Sequence, residues 1–182
     1  MNLKKFEQVT KFLSILLKIL SVICLLSFVV FTFLFIFKRT FLLSAAPLTE
    51  LPLVDFPIIT ATKQSMTNST EMLANCTILI PLLIVYFYIF FKGSQFFSRL
   101  AEGRTPFSYE NYKLLKIIGL LIIIVNLTAP LLYSFVATLS MPNGYFVSFG
   151  FDIEMIIGLI IYCMAEVIRY GVTLQHLSDE TV

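Results

Sequence analysis

Charged residues gather in short clusters along this chain, and the stretches between them are almost unbroken runs of Leu, Ile, Val and Phe. Four runs stand out, at residues 12–37, 72–91, 117–139 and, less cleanly, 147–168. Each is close to the roughly 20 residues that a helix needs to cross a hydrocarbon core ~30 Å thick. In lipid a backbone must satisfy its own hydrogen bonds, and these runs far exceed the strands of a membrane barrel, so the pattern predicts helices. The expected fold is all-α: one integral membrane domain, 1–182, built as a four-helix transmembrane bundle. Its helices are placed at about 12–37, 72–91 extending to 102, 109–139 and 147–170, with a long outer loop at 38–71 and a tail at 171–182.

Composition fits that reading, since 58% of the 182 residues are hydrophobic and 13% charged, against about 25% charged in soluble domains. Lys4, Lys5 and Lys11 precede the first run in the manner of a secretory signal. The run is too long for a signal core and ends on Lys38-Arg39, so it is read as a retained span. Lys92, Arg99, Arg104, Lys113 and Lys116 lie between the second and third runs and Arg169 closes the fourth, whereas the opposite side carries only Lys38, Arg39 and Lys63. The positive-inside bias then places both termini and the second connection in the cytoplasm.

Inside the spans, the residues that cost free energy are the informative ones. Lys18 is near enough to the inner end of the first span to snorkel. Pro81 and Pro130 each remove one helical hydrogen bond, with Asn126 and Thr128 close to the second. In the fourth run only residues 155–165 separate Glu154 from Glu166, too few to span at ~1.5 Å each. Its charges therefore belong at its ends. Asp152 and Glu154 suit the first turn, where the helix dipole favours carboxylates, and Glu166 and Arg169 are spaced to form a structural ion pair. Gly158, Tyr162, Ala165 and Arg169 share one stripe suited to close helix contact.

The segment "GRTPFS" specifies a turn between the second and third helices: Gly103 breaks, Thr105-Pro106 turns, and Ser108 caps, with Phe107 and Tyr112 spaced for a hydrophobic staple. The result expected is a short cytosolic helical hairpin on the same side as the acidic tail. Three cysteines lie in or beside the spans without CxxC spacing, and His176 is the single histidine, which offers no framework for a disulfide, metal or cofactor site. No HExxH, GxSxG or paired intramembrane Asp is present, so no catalytic residue is assigned and the chain is read as a non-enzyme. A net charge of +2 with its cations against the membrane argues against direct contact with nucleic acid.

The order of spans, "GRTPFS" followed by "YENYKLLKIIG", and the ending "AEVIRYGVTLQHLSDETV" together resemble a family of small bacterial membrane proteins, domain of unknown function 2975. Pro106, Phe107, Ser108, Asp179, Thr181 and Val182 carry most of the match, and the longer outer loop departs from it. The resemblance implies a four-helix plasma-membrane protein without established activity, and a small cytosolic helix-turn-helix regulator as partner. The function expected is regulatory: Arg104, Pro106, Phe107 and Ser108 of the turn, with Asp179, Glu180, Thr181 and Val182 of the tail, hold that partner. The alternative is a small transporter, exporter or immunity-type protein using the proline-bearing helices and Asp152 or Glu166. The bilayer is the other partner, and self-association is left open.

Overall fold

The computed structural model describes residues 3–37, 56–62, 68–103, 105–141 and 144–180. Most of the outer loop, Arg104, Thr181, Val182 and the side chain of Asp179 lie outside the described residues. The element order is α1 (Leu3–Phe37), β1 (Phe56–Thr62), α2 (Asn68–Ala101), α3 (Tyr109–Ser140), β2 (Phe146–Phe151) and α4 (Ile153–Glu180). All four helices are long and apolar enough to cross a membrane. Pro81 and Pro130 lie inside α2 and α3.

Several boundaries differ from the sequence expectation: α1 begins at Leu3, not 12, and α2 at Asn68, not 72. The fourth helix begins at Ile153, not 147, because "FVSFGF" is a strand. Its apolar content is that of a span, but Ser148 and Gly150 alternate with larger apolar residues at the two-residue period of a strand. Residues 56–62, expected within the outer loop, form β1 and pair antiparallel with β2, from Phe56↔Phe151 to Thr62↔Phe146, with one irregularity between Pro57 and Ile59. A two-stranded sheet thus accompanies the otherwise all-α frame. The tail expected from 171 instead continues α4 through Glu180.

α1 is turned inside out relative to a helix of a water-soluble protein. Thr10 and Ser21 are buried, and Ser14 and Leu17 complete the inward stripe at heptad spacing, while Phe12, Ile19, Leu26 and Phe33 are exposed. Lipid tails are as apolar as Leu, so apolar burial does not drive helices together there; small residues and hydrogen bonds do. Cys163 likewise lies on an exposed face of α4.

The chain divides into two compact units. The first gathers Met1–Ile23, Tyr86–Ile123 and Ile156–Val182. In it, α1 meets α2 through a reciprocal pair: Ser14 Oγ donates to Ser94 O at 3.1 Å and Ser94 Oγ to Ser14 O at 3.0 Å. There α3 meets α4 at Gly119, where an added Cβ would lie 2.7 Å from the Tyr162 backbone nitrogen and 2.9 Å from Gly158 O. Gly158 and Ala165, two members of the stripe read from the sequence, are buried.

The second unit gathers Cys24–Val85 and Ile124–Met155. Met72 and Cys76 of α2 form its apolar core with Leu34 and Phe35 of α1. β2 is held by α3 through two hydroxyls. Ser134 Oγ accepts from Ser148 N–H at 2.9 Å and lies 3.0 Å from Ser148 O and 2.8 Å from Pro130 O, its one proton serving these two carbonyls. Thr138 Oγ1 accepts from Phe146 N–H at 3.1 Å and donates to Phe146 O at 2.9 Å. The match is metrical: four helical residues rise ~6 Å, close to the ~6.6 Å that two strand residues cover. Alternate residues of a strand direct their backbone groups to opposite edges. β2 therefore spends one edge on β1 and the other on α3.

Candidate functional site

The turn between α2 and α3 is built as its residues specify. Gly103 takes φ 73°, the left-handed conformation that closes a helix, and its N–H donates to Leu100 O at 3.2 Å. Ser108 caps α3: its Oγ accepts from Asn111 N–H at 3.2 Å, and its carbonyl accepts from Tyr112 N–H at 3.0 Å. Asn111 is the residue that sequence reasoning missed. It is 1% exposed, and its Nδ2 donates to both Thr105 O and Pro106 O, at 3.3 and 3.2 Å. Pro106 O also accepts from Ser108 N–H at 3.2 Å, whereas Thr105 O has Asn111 as its described partner, so Asn111 helps set the turn's shape from inside the helix. The sequence signal was an amide at the third helical position after a Thr-Pro turn.

Phe107 lies against α4. A Cβ at Gly171 would meet its ring at 2.4 Å, so only glycine there lets the ring sit so close. The staple read from the sequence paired Phe107 with Tyr112, but the described ring contact of Tyr112 is with Tyr109, at 5.6 Å between centroids. Phe107 is still 40% exposed and Tyr109 61%. Arg99 at the end of α2 pairs with Glu110 at the start of α3, which closes the hairpin a second time.

One turn beyond the cap is a network of charges. Lys116 Nζ donates to Tyr112 Oη at 2.7 Å and lies 3.4 Å from Glu166 Oε1; Arg169 Nε lies 2.9 Å from Glu166 Oε2. Both cations stand near the Tyr112 ring, Lys116 at 5.2 Å and Arg169 at 5.9 Å, and Lys116 is 5.7 Å from Tyr162. Glu166 and Arg169, three residues apart, were paired from spacing; Lys116, fifty residues away, could not be. Lys92 over Tyr88 and Lys113 over Tyr109 repeat the arrangement of a lysine one turn after a tyrosine.

Of the residues assigned to partner binding, Pro106, Phe107 and Ser108 come together in this turn, and Phe107 meets the helix that carries Glu180. Asp152 stands just before α4, its carbonyl accepting from Met155 N–H at 3.0 Å, and Glu154 is in the first turn. Thr128, close to Pro130 in sequence, donates to Ile124 O at 2.8 Å.

Four apolar helices carrying small and hydroxylated contact residues, with large apolar side chains turned outward, define a multi-pass membrane protein. Residues 13–182 match the family model described as Protein of unknown function (DUF2975), and the chain belongs to that family. No curated protein and no solved structure matches it.

Proposed function

We propose that this is a regulatory protein of the plasma membrane, both termini cytoplasmic, which works without chemistry of its own by holding a small helix-turn-helix regulator at the turn between α2 and α3 and the end of α4. The observation that carries the reading is the order spent on a solvent-facing turn. Asn111 is buried to shape it and Gly171 is left bare to seat Phe107, yet Phe107 and Tyr109 keep aromatic surface outside. A plain connector needs none of this. Leu174 and Leu177 are exposed on the last turns of α4, beside His176 and before the acidic Asp179-Glu180, which suits a partner with a basic surface. A regulator that binds DNA has one, and holding it at the membrane keeps it from DNA.

The test is a binding measurement with the full chain in nanodiscs and a purified helix-turn-helix regulator from the same genome. Tyr109→Ala and deletion of 179–182 are expected to weaken binding at least tenfold while leaving the melting temperature unchanged. Phe107→Ala is expected to weaken it too, with a small loss of stability because its seat on Gly171 is emptied. Equal binding by the parent and all three variants overturns the docking face. The transporter or immunity reading then takes its place.

A further inference from the structure

The network around Tyr112 has more donors than it uses. It holds two cations, Lys116 and Arg169, against one carboxylate, Glu166, a surplus of one positive charge. The ammonium of Lys116 has three N–H groups and two described partners. Arg169 uses Nε on Glu166, and no described residue takes the N–H groups of its two terminal nitrogens. The Tyr112 hydroxyl accepts from Lys116, which leaves its own proton to give. These three groups converge on one ring, since both cations stand within 6 Å of the Tyr112 centroid. Each helix places them where a headgroup would be: after Lys116, α3 carries no charge through Ser140, and Arg169 is followed by polar residues at Thr173, Gln175 and His176.

We infer that Tyr112, Lys116 and Arg169 form a binding site for a phosphate group, and that the phosphate is the phosphodiester of an anionic lipid. A monoanionic phosphodiester cancels the surplus charge. Its two free oxygens match the forked terminal nitrogens of Arg169, and its ester oxygens face a tyrosyl donor. Leu120, one turn along α3 from Lys116, and Tyr170, next to Arg169, are exposed apolar surface on which the acyl chains lie. Glu166 is the positioning residue: it holds both cations toward Tyr112 and, being anionic, also tempers the affinity.

That double role gives a test that separates a lipid site from a merely structural network. Full-length protein is reconstituted in nanodiscs of phosphatidylcholine with and without phosphatidylglycerol, released, and examined by native mass spectrometry for retained phosphatidylglycerol. A second arm titrates inorganic phosphate in detergent against the melting temperature. The parent is expected to retain one phosphatidylglycerol. Arg169→Gln and Lys116→Gln should lower retention about tenfold each, the usual worth of a charge-assisted hydrogen bond, while Lys113→Gln, on the neighbouring Tyr109, should leave it unchanged. Glu166→Gln should lower the melting temperature yet raise retention, because it removes the anion that competes with the lipid. Loss of retention in Glu166→Gln equal to that in Arg169→Gln overturns the site. So does equal retention in all variants. Protection by inorganic phosphate with no retained lipid overturns the lipid assignment.

Discussion

The clasp of α3 on β2 and the cluster around Tyr112 are both made of polar side chains in an apolar chain, and they solve that problem in opposite ways. Ser134 and Thr138 are neutral; each gives and receives a hydrogen bond with one strand residue, and the exchange is complete. The Tyr112 cluster is charged, incomplete and partly exposed, with the Arg169 side chain 60% accessible. The ion pairs Arg99–Glu110, Lys116–Glu166 and Arg169–Glu166 and the cation–ring contacts around Tyr88, Tyr109, Tyr112 and Tyr162 lie in the unit that contains Tyr112. A closed neutral exchange stabilises one geometry and leaves nothing for a ligand. An open charged one stabilises less and keeps donors available.

The comparison is sharpened first at a place that belongs to neither. Gly119→Ala puts a Cβ 2.7 Å from the Tyr162 backbone nitrogen, and since backbone on both sides cannot give way, α3 and α4 must separate. A loss of about 3 kcal/mol is expected, and the charged cluster should dissolve with it. A melting temperature within a degree of the parent would show that the α3–α4 crossing accommodates a methyl group without cost.

Thr138→Val comes next. It keeps the shape of the side chain and leaves Phe146 N–H and C=O without their partner, at a cost of about 1–3 kcal/mol for the stranded groups. Being neutral, the loss should be the same in low and high salt. Hydrogen exchange at residue 146 should rise while that at Tyr112 stays constant.

The smallest effect is expected at the ion pair. Glu166→Gln and Arg169→Gln should each lower stability by about 0.5–1 kcal/mol, a partly exposed pair being worth little more than a surface one. The double change should cost less than the sum, and the losses should shrink in ~1 M salt. Strict additivity, or salt independence, would erase the contrast between the two regions.

How much of this could be read from the sequence follows from the range of each interaction. The spans were legible because their length and polarity are properties of contiguous residues, and "GRTPFS" was legible because a turn and its cap are local. Glu166 with Arg169 was legible for the same reason, three residues being one turn. Lys116 joining them was not, because only the antiparallel packing of α3 on α4 at Gly119 and Gly158 brings residue 116 to residue 166. The sheet was hidden twice. "FVSFGF" is as apolar as the helix it was assigned to, and its partner strand lies across more than eighty residues of chain. Ser134 and Thr138 read as ordinary hydroxylated residues of a span; their four-residue spacing becomes meaningful only beside a strand. The Ser/Thr stripe of α1 lies at heptad spacing, but small hydroxylated residues scattered through a long apolar run do not alter its character as a span, so the stripe is silent until a partner helix is known.

The bare α-carbon of Gly171 bears on how this protein can change. A methyl group there would collide with the Phe107 ring, so the sequence of α4 is constrained by a residue on the far side of a turn. Variation at position 107 and variation at position 171 are not independent: a smaller residue at 107 releases 171, and any larger residue at 171 requires a smaller one at 107. Across related chains the two positions should drift as a couple, Phe with Gly or a small side chain with Ala or Ser, and a chain with both Phe and a bulky residue should be rare.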